Sequence, residues 1–367
     1  MTKLSIAMTL TPKQIEKILK NPEHTAEFAN LVYVSDDDLN IRREKEKKTY
    51  KYFFKNQPLE DDKELERINK LVIPPAWENV RISYPPNGHL QVVGRDTKNR
   101  KVYRYHNLWS KVRNQTKFFK LAAFANALPK IREQIDRDLD APEMSQRKVL
   151  ALVLRLMEET HIRIGNDYYA KRNKTYGLST LRTRHVETSK DKIKFHFIGK
   201  KGKEHNITLK NKKLAKLVNR CEEIPGWELF QYYDQDGTKN RVDSGMINDY
   251  IHELSGNLFS AKDFRTWGAT KTFFETVHDL GYTPDEKENK STILKGFDAA
   301  AEALGNTRTV CRKYYVHPQV VDQYEMGTIT KDFKKIDDTD DDPYFTATEK
   351  VLLKMISQFE IDFSLED

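Results

Sequence analysis

The stretch Leu304–Pro318, LGNTRTVCRKYYVHP, places two adjacent tyrosines directly after a basic pair. The tyrosines are Tyr314 and Tyr315, and Asn306 lies nine residues before Tyr315 in a Gly-Asn-Thr turn. A tyrosine hydroxyl is a weak nucleophile at rest, but nearby cations stabilise both a phenolate and the phosphate that it attacks. The stretch therefore indicates phosphoryl transfer to tyrosine, provided that other segments supply the remaining groups of such a site.

Composition limits the class of protein before any other motif is considered. A chain of 367 residues predicts one to three domains, and 38% hydrophobic residues suffice for a core. No apolar run approaches the ~18 residues of a membrane span, and the start, MTKLSIAMTL, lacks the pattern of a signal peptide. Two cysteines in so long a chain need no disulfide, which suits a reducing compartment. We therefore expect a cytoplasmic protein with no membrane partner.

Charge is unevenly distributed along the chain. The formal net charge is +8, but residues 336–367 hold ten acids and two bases. That tail thus carries −8, which leaves +16 on residues 1–335. A body this basic indicates a polyanionic partner, most simply nucleic acid, although an ordinary basic protein is the alternative.

The first part of the chain, residues 1–108, predicts a small strand-rich domain with some helix. His89–Val93 and Lys101–Tyr105 flank a segment of turn-forming residues, which predicts a hairpin. Shorter extended pieces are expected at Val32–Val34 and Tyr50–Phe54. The hairpin is basic and aromatic, so it is either a DNA contact or an ordinary exposed hairpin.

From residue 109 to 335 the pattern predicts a mostly helical domain that carries a β-hairpin, followed by an acidic linker and a C-terminal helix in 336–367. Apolar residues of Val149–Met157 recur at i, i+3, i+4, i+7 and i+8, which indicates one buried helix face. Two alternating segments flank a glycine-bounded turn that contains Lys200, which indicates a hairpin tip. Further helices are expected over Lys212–Cys221, Ser244–Leu254, Ala269–Asp279 and Ser291–Leu304.

Three segments outside the tyrosine stretch could complete a phosphoryl-transfer site. Arg163 follows the apolar helix in HIRIGN, Lys200 lies at the hairpin tip, and Arg265 lies between aromatic residues in DFRTWG. Arginine matches the geometry of phosphate, and lysine can protonate a leaving oxygen. Each is ambiguous by itself, because a helix-end arginine, a turn lysine and an arginine beside core residues are all common without function.

Taken together, these segments resemble the poxvirus-like and bacterial family of type IB DNA topoisomerases. The resemblance covers roughly residues 70–320. It rests on the following segments, which occur in the family's order: VIPPAWENVRI, GHLQVVGRDTKNRKVYRYH, IRIGNDYYAKRNKTYGLSTLRTRHV, FIGKKGK, LFQYYDQDG, VDSGMINDY, AKDFRTW and LGNTRTVCRKYYVHP. The fold that it implies is α+β, with a strand-rich N-terminal domain and a mostly helical catalytic domain.

The resemblance also implies roles for individual residues. Tyr315 matches the nucleophile, with Tyr314 as the positional alternative, and Lys200 matches the general acid that protonates the 5′ oxygen. Arg163 and Arg265 match the arginines that hold the scissile phosphate. Asn306 stands where poxvirus members carry histidine. Because an amide donates hydrogen bonds but does not titrate, we expect only hydrogen bonding from it. Candidate DNA contacts are Gln91, Arg95, Asn166 and Tyr169.

The implied reaction uses no metal and no nucleotide. The sequence agrees, since it contains no GxxxxGK[ST] loop and no CxxC or HExxH pattern. The implied partner is double-stranded DNA, clamped by a monomer. Two alternatives remain open at this point: a site-specific tyrosine recombinase and a DNA-binding protein without activity. The acidic tail either shields an empty DNA groove or is a solvated appendage whose helix docks on the body.

Overall fold

Alternating apolar residues in the first hundred positions form one antiparallel sheet. The computed structural model describes residues 12–47 and 49–361. They divide into two units, residues 12–117 with 360–361, and residues 118–359. Every helix of the described residues is too short or too polar to cross a membrane.

The first unit is a six-stranded sheet with helices. Its strands follow the spatial order β3-β2-β1-β4-β5-β6, all antiparallel. The strands are β1 (Ile41–Glu46), β2 (Thr49–Phe54), β3 (Gln57–Pro58), β4 (Glu78–Ile82), β5 (Leu90–Arg95) and β6 (Lys101–Tyr105). The helices are α1 (Pro12–Lys20), α2 (Pro22–Phe28) and α3 (Asp62–Lys70), and α4 (Asn107–Asp140) begins here and continues into the second unit.

The predicted basic hairpin is confirmed as β5 and β6, which pair from Leu90↔Tyr105 to Arg95↔Lys101. The core of the sheet consists of β-branched residues whose side chains share one face, since successive strand residues point to opposite faces. This core includes Ile41, Val80, Ile82 and Val92. The expected extended piece at Val32–Val34 makes only one isolated bridge, from Val32 to Gly88.

The second unit is mainly helical, as predicted. Its helices after α4 are α5 (Gln146–Thr160), α6 (Asp167–Asn173), α7 (Lys212–Glu222), α8 (Ser244–Ser255), α9 (Ala261–Leu280), α10 (Glu286–Leu304), α11 (Arg308–Tyr314), α12 (Pro318–Glu325), α13 (Thr330–Asp337) and α14 (Ala347–Ile356). A three-stranded sheet and a short ribbon accompany them. Their strands are β7 (Val186–Thr188), β8 (Lys192–Ile198), β9 (Glu204–Lys210), β10 (Gln231–Tyr233) and β11 (Lys239–Arg241).

Helix ends in this unit follow local chemistry and bring the candidate segments to fixed positions. Ser145 caps α5 by accepting a hydrogen bond from the Lys148 amide, and His161 ends it with φ 52°. Helix α9 starts eight residues before the expected Ala269, because Ser260 and Asp263 form a capping box. Gly305 ends α10 at φ 59°, a conformation that glycine adopts without strain.

The acidic C-terminal segment belongs to the core of the second unit. Apolar residues of α14 are buried, among them Val351, Leu352 and Met355. Glu349 on the same helix is fully buried. The helix of the acidic segment is therefore docked on the second unit, and shielding of an empty DNA groove stays a prediction.

Candidate active site

Tyr315 lies immediately after α11, where the chain turns towards α12. Its amide donates to the carbonyl of Cys311 at 2.9 Å, and its carbonyl accepts a hydrogen bond from Thr270 Oγ1 on α9 at 3.1 Å. The side chain is half-buried. Tyr314 is 42% exposed, and its ring lies 5.3 Å from the ammonium of Lys313. The two adjacent tyrosines thus have different environments, and Tyr315 faces the interior of the unit.

Arg265 is buried beside Tyr315, 5.7 Å from its guanidinium carbon to the ring centre. Its Nη2 donates to the carbonyl of Leu304 at 3.0 Å, and its Nη1 donates to the carbonyl of His161. Both carbonyls belong to helix ends, whose last carbonyls lack partners inside the helix. The flanking residues Phe264 and Trp267 are buried. Two helix termini and a packed aromatic pair therefore hold Arg265 in one orientation.

Arg163 reaches the same place from the segment that follows α5. Its Nη2 donates to Oδ1 of Asn306 at 2.6 Å. The amide nitrogen of Asn306, Nδ2, is buried and makes no hydrogen bond of normal geometry within residues 12–47 and 49–361. The same is true of Nε of Arg265. The site thus contains donors that the described residues do not satisfy, which is the arrangement expected around an oxyanion.

These cations determine the protonation of Tyr315. Burial alone would raise the pKa of its hydroxyl, but Arg265 and Arg163 outweigh burial, so the pKa lies below the usual value of 10. The Asn306 amide also favours the phenolate. Tyr315 in return favours the charged form of Arg265, whose pKa is lowered by burial and by Arg163. The arrangement stabilises a phenolate, the form of tyrosine that can attack phosphorus.

Lys200 lies at the tip of the β8–β9 hairpin, as predicted. The tip is tight, with Lys201 at φ 63° and Gly202 at φ 76°. Although the residue as a whole is exposed to solvent, the protein around its ammonium lowers the Lys200 pKa by desolvation. Repulsion from Arg163 lowers this pKa further, whereas Tyr315 opposes the shift. A lysine with a lowered pKa releases its proton more readily, which suits a general acid.

The four candidate DNA contacts differ in their availability. Asn166 and Tyr169 are exposed at the start of α6, where the Asn166 side chain caps the helix through the Tyr168 amide at 3.0 Å. Arg95 is half-buried on β5, and its Nη1 donates to the carbonyl of Asn99 at 3.3 Å.

Gln91 is only 3% exposed, which differs from the expectation of a groove-facing side chain. Its Nε2 donates to the carbonyls of Pro86 and Gly88, and its Oε1 accepts from Arg67 at 2.9 Å. A base contact by Gln91 would require these three bonds to break. Its amide holds the loop before β5 in place instead.

Two residues near the site were not selected from the sequence. His205 on β9 lies against the backbone at Gly199 and Gly305, the residues that precede Lys200 and Asn306. Glu349 is buried behind α9 and bonds to Trp267, two residues from Arg265. For His205, the alternation with Ile207 and Leu209 in the sequence indicates a strand position on the same face as these apolar residues. For Glu349 the sequence contains no such indication, because the residue lies in an acidic, hydrophilic tail.

Among the residues that the structure describes, no three His, Cys, Asp or Glu side chains are grouped as metal ligands would be. The candidate site consists instead of cations, an amide and a phenol.

Two family models match parts of this chain. A family model described as the catalytic core of eukaryotic DNA topoisomerase I matches residues 106–340, and one described as the N-terminal domain of bacterial DNA topoisomerase IB matches residues 49–96. A DNA topoisomerase 1B of Acanthamoeba polyphaga mimivirus is 36% identical over 281 residues, which cover 75% of this chain and 84% of the viral protein.

More distant viral relatives match a shorter region. The DNA topoisomerase 1B of vaccinia virus is 24% identical over 235 residues, 63% of this chain and 71% of the viral protein. The DNA topoisomerase 1 of rabbit fibroma virus is 27% identical over 241 residues, with 63% and 70% covered. Since one family model spans more than half of the chain and a relative aligns over most of its length, the chain belongs to the type IB DNA topoisomerases, a family of isomerases.

Proposed function

We propose that the chain relaxes positive and negative supercoils in double-stranded DNA by cutting and resealing one strand through Tyr315. The observation that carries this proposal is the position of the Tyr315 phenol, beside buried Arg265 and near the Arg163–Asn306 pair. These groups lower the pKa of the phenol and offer donors to a phosphate. Both effects act on the same reaction, attack of a phenolate on a phosphodiester.

In the forward step, the Oη atom of Tyr315 bonds to the scissile phosphorus and loses its proton to solvent. The bond from phosphorus to the 5′ oxygen breaks, and Lys200 gives a proton to that oxygen. Arg163, Arg265 and Asn306 hold the non-bridging oxygens, whose negative charge grows in the transition state. The products are a 3′-phosphotyrosyl bond and a free 5′-hydroxyl.

Resealing is the same step in reverse. One phosphodiester is exchanged for another, so no bond energy is lost and no ATP is required. While the strand is open, the free end can rotate and release superhelical tension. We further propose that a single copy of the chain suffices and clamps the duplex, with Arg95, Asn166 and Tyr169 at the DNA. We propose that it acts in the cytoplasm, and at the nucleoid if the cell is bacterial.

The test is relaxation of positively and negatively supercoiled plasmid by purified protein in excess EDTA, without nucleotide. We expect both substrates to relax. DNA binding without relaxation would refute the proposed activity and would favour a recombinase that needs paired sites, or an inactive DNA-binding protein.

Tyr314 provides a matched control for the nucleophile, because it is the same residue type one position away. Tyr315→Phe should abolish relaxation and the covalent protein–DNA adduct, whereas Tyr314→Phe should retain both. The opposite pattern would show that Tyr314 carries the reaction.

A further inference from the structure

The imidazole of His205 lies between two glycines that flank the proposed active site. A β-carbon added at Gly199 would lie 2.6 Å from Nε2 of His205, and one added at Gly305 would lie 2.4 Å from its Cε1. Contacts this short leave no room for any side chain but hydrogen at either position. The ring therefore touches the backbone of the Lys200 loop (residues 199–203) and of the Asn306 loop (residues 305–307).

The fold holds this ring firmly. His205 pairs with Phe197 across β8 and β9, and the two rings stack with centres 4.9 Å apart and planes 10° from parallel. Ile207 and Leu209, which follow on the same face of β9, pack against the core of the unit. The ring thus extends from a rigid sheet, and the two loops lie on either side of it.

The charge of His205 agrees with a packing role. Burial lowers its pKa to about 4, and repulsion from Arg163, Lys203 and Arg265 acts in the same direction. The ring is therefore neutral at neutral pH. A neutral ring can lie among these cations without adding to their repulsion, and it does not compete with them for phosphate.

We propose that His205 is a positioning residue, which fixes the Lys200 loop against the Asn306 loop so that the proton donor and the phosphate-binding groups keep one mutual geometry. This inference rests on the proposed function, in particular on Lys200 as the general acid. His205 touches no reacting atom in this scheme. It acts through the backbone of Gly199 and Gly305.

The experiment compares two leaving groups in single-turnover cleavage of a short duplex by the full chain. One duplex carries the natural 5′ oxygen at the scissile phosphodiester, and the other carries a bridging 5′ sulfur. An alcohol resembles water, with a pKa of ~16, and must be protonated as it leaves. A thiol has a pKa of ~8.5 and leaves without a proton. Loss of proton delivery therefore slows only the oxygen substrate.

We expect His205→Ala to slow cleavage of the oxygen substrate by roughly 10- to 100-fold, the effect of an ~1 Å misplacement of a catalytic group. The sulfur substrate should be cleaved at close to the wild-type rate. Lys200→Ala should show the same selective rescue by sulfur. His196→Ala is the matched control, since His196 lies on the neighbouring strand with its side chain 68% exposed, and it should behave as wild type.

The outcomes separate this inference from the function on which it rests. Absence of a covalent adduct with the wild type would overturn the proposed function, and the role of His205 with it. An active wild type, together with a His205→Ala variant that is slowed equally on both substrates or on neither, would overturn the role of His205 alone.

Gly199→Ala tests the same contact from the other side. Gly199 has φ −98°, which alanine adopts without strain, so the added methyl group acts only through its collision with His205. We expect Gly199→Ala to slow the oxygen substrate selectively, and the Gly199→Ala/His205→Ala double variant to be faster than Gly199→Ala. A fully active Gly199→Ala variant, or a double variant with no gain, would overturn the inference.

Discussion

Replacing Glu349 with alanine should destabilise the second unit strongly, although the residue lies in the acidic C-terminal segment. Its carboxylate is fully buried and accepts two hydrogen bonds from Arg132, at 2.8 Å and 2.7 Å. It also accepts one from Nε1 of Trp267 at 3.1 Å and one from the amide of Thr346 at 3.1 Å. Truncation removes the acceptor from all of these buried donors at once.

The magnitude follows from the ionisation of the carboxylate. Burial alone would raise the pKa of Glu349, but its hydrogen bonds and charge interaction with Arg132 lower it from 4.5 to about 2. At ~1.4 kcal/mol for each pH unit, this difference corresponds to on the order of 3 kcal/mol of folding free energy. Breaking a buried ion pair typically costs ~3–5 kcal/mol, so we expect a loss in that range.

The measurement is urea unfolding of wild type and Glu349→Ala at pH 7, followed by the same comparison at lower pH. Because the folded state lowers the pKa, the stabilisation by the charge is fully present above pH 4.5. It is lost as the pH falls through about 2. The difference between the two proteins should therefore narrow steadily as the pH falls from 4.5 towards 2.

Lys350→Ala is the matched control on the same helix. Lys350 pairs with Asp342 at 2.8 Å, but the carboxylate of that pair is 63% exposed. Such surface pairs contribute only ~0–1 kcal/mol. The reasoning would be refuted if Glu349→Ala unfolded within ~1 kcal/mol of wild type, or if the difference stayed constant from neutral to acidic pH.

Three further predictions concern Trp267, Tyr315 and the DNA interface. Trp267→Phe keeps the aromatic packing on Phe345 but removes the hydrogen bond to Glu349. The free energy of unfolding should therefore fall by about 1–2 kcal/mol, and an unchanged midpoint of urea unfolding would contradict this. On a substrate with a 5′ sulfur, which needs no proton from Lys200, the rate of adduct formation should rise with pH and reach its midpoint below 10, because Arg265 and Arg163 favour the Tyr315 phenolate. Arg163→Ala should move that midpoint upwards, and a wild-type midpoint at or above 10 would contradict the prediction. The logarithm of the DNA association constant should fall linearly with the logarithm of the salt concentration, with a slope of roughly −0.9 for each phosphate contact. An association constant that does not change with salt would exclude a mainly electrostatic interface.

Local patterns in the sequence predicted the elements that carry the catalytic candidates. The hairpin tip with Lys200 is visible because two alternating segments flank a glycine-bounded turn. The buried position of Arg265 is predictable because Phe264 and Trp267 flank it in a helix. In both cases the pattern lies within a few neighbouring residues, so it can be recognised in a single sequence.

The long helix α4 was not predicted, although much of it carries a helical apolar pattern. Near its start, Trp109 and Val112 are buried in one apolar cluster. Further along, Phe124 and Leu128 are buried in another. The apolar period is present in this second part, at Leu121, Phe124, Leu128, Ile131 and Ile135. Pro129, however, lies inside the helix, and a proline in a sequence normally predicts that a helix ends there.

Polar residues show a second limit of sequence reasoning. Gln91 has the side chain of a base contact, yet it is hydrogen-bonded inside the first unit. Glu349 has the side chain of a solvated tail, yet it is buried between Arg132 and Trp267. Whether a polar group binds a ligand or the fold itself depends on partners distant in sequence, which a single sequence does not supply.

Arg132 and Arg265 of the second unit show how such partners separate a structural arginine from a functional one. Arg132 is paired with Glu158 at 2.6 Å and with Glu349, and these carboxylates raise its pKa despite burial. In the described part of the chain, no carboxylate lies within ion-pair distance of Arg265, and burial with repulsion from Arg163 lowers its pKa. Burying a charge without a counter-ion destabilises the folded state. Beside Tyr315 the fold contains such a charge, and under the proposed function a DNA phosphate would supply the missing negative charge there.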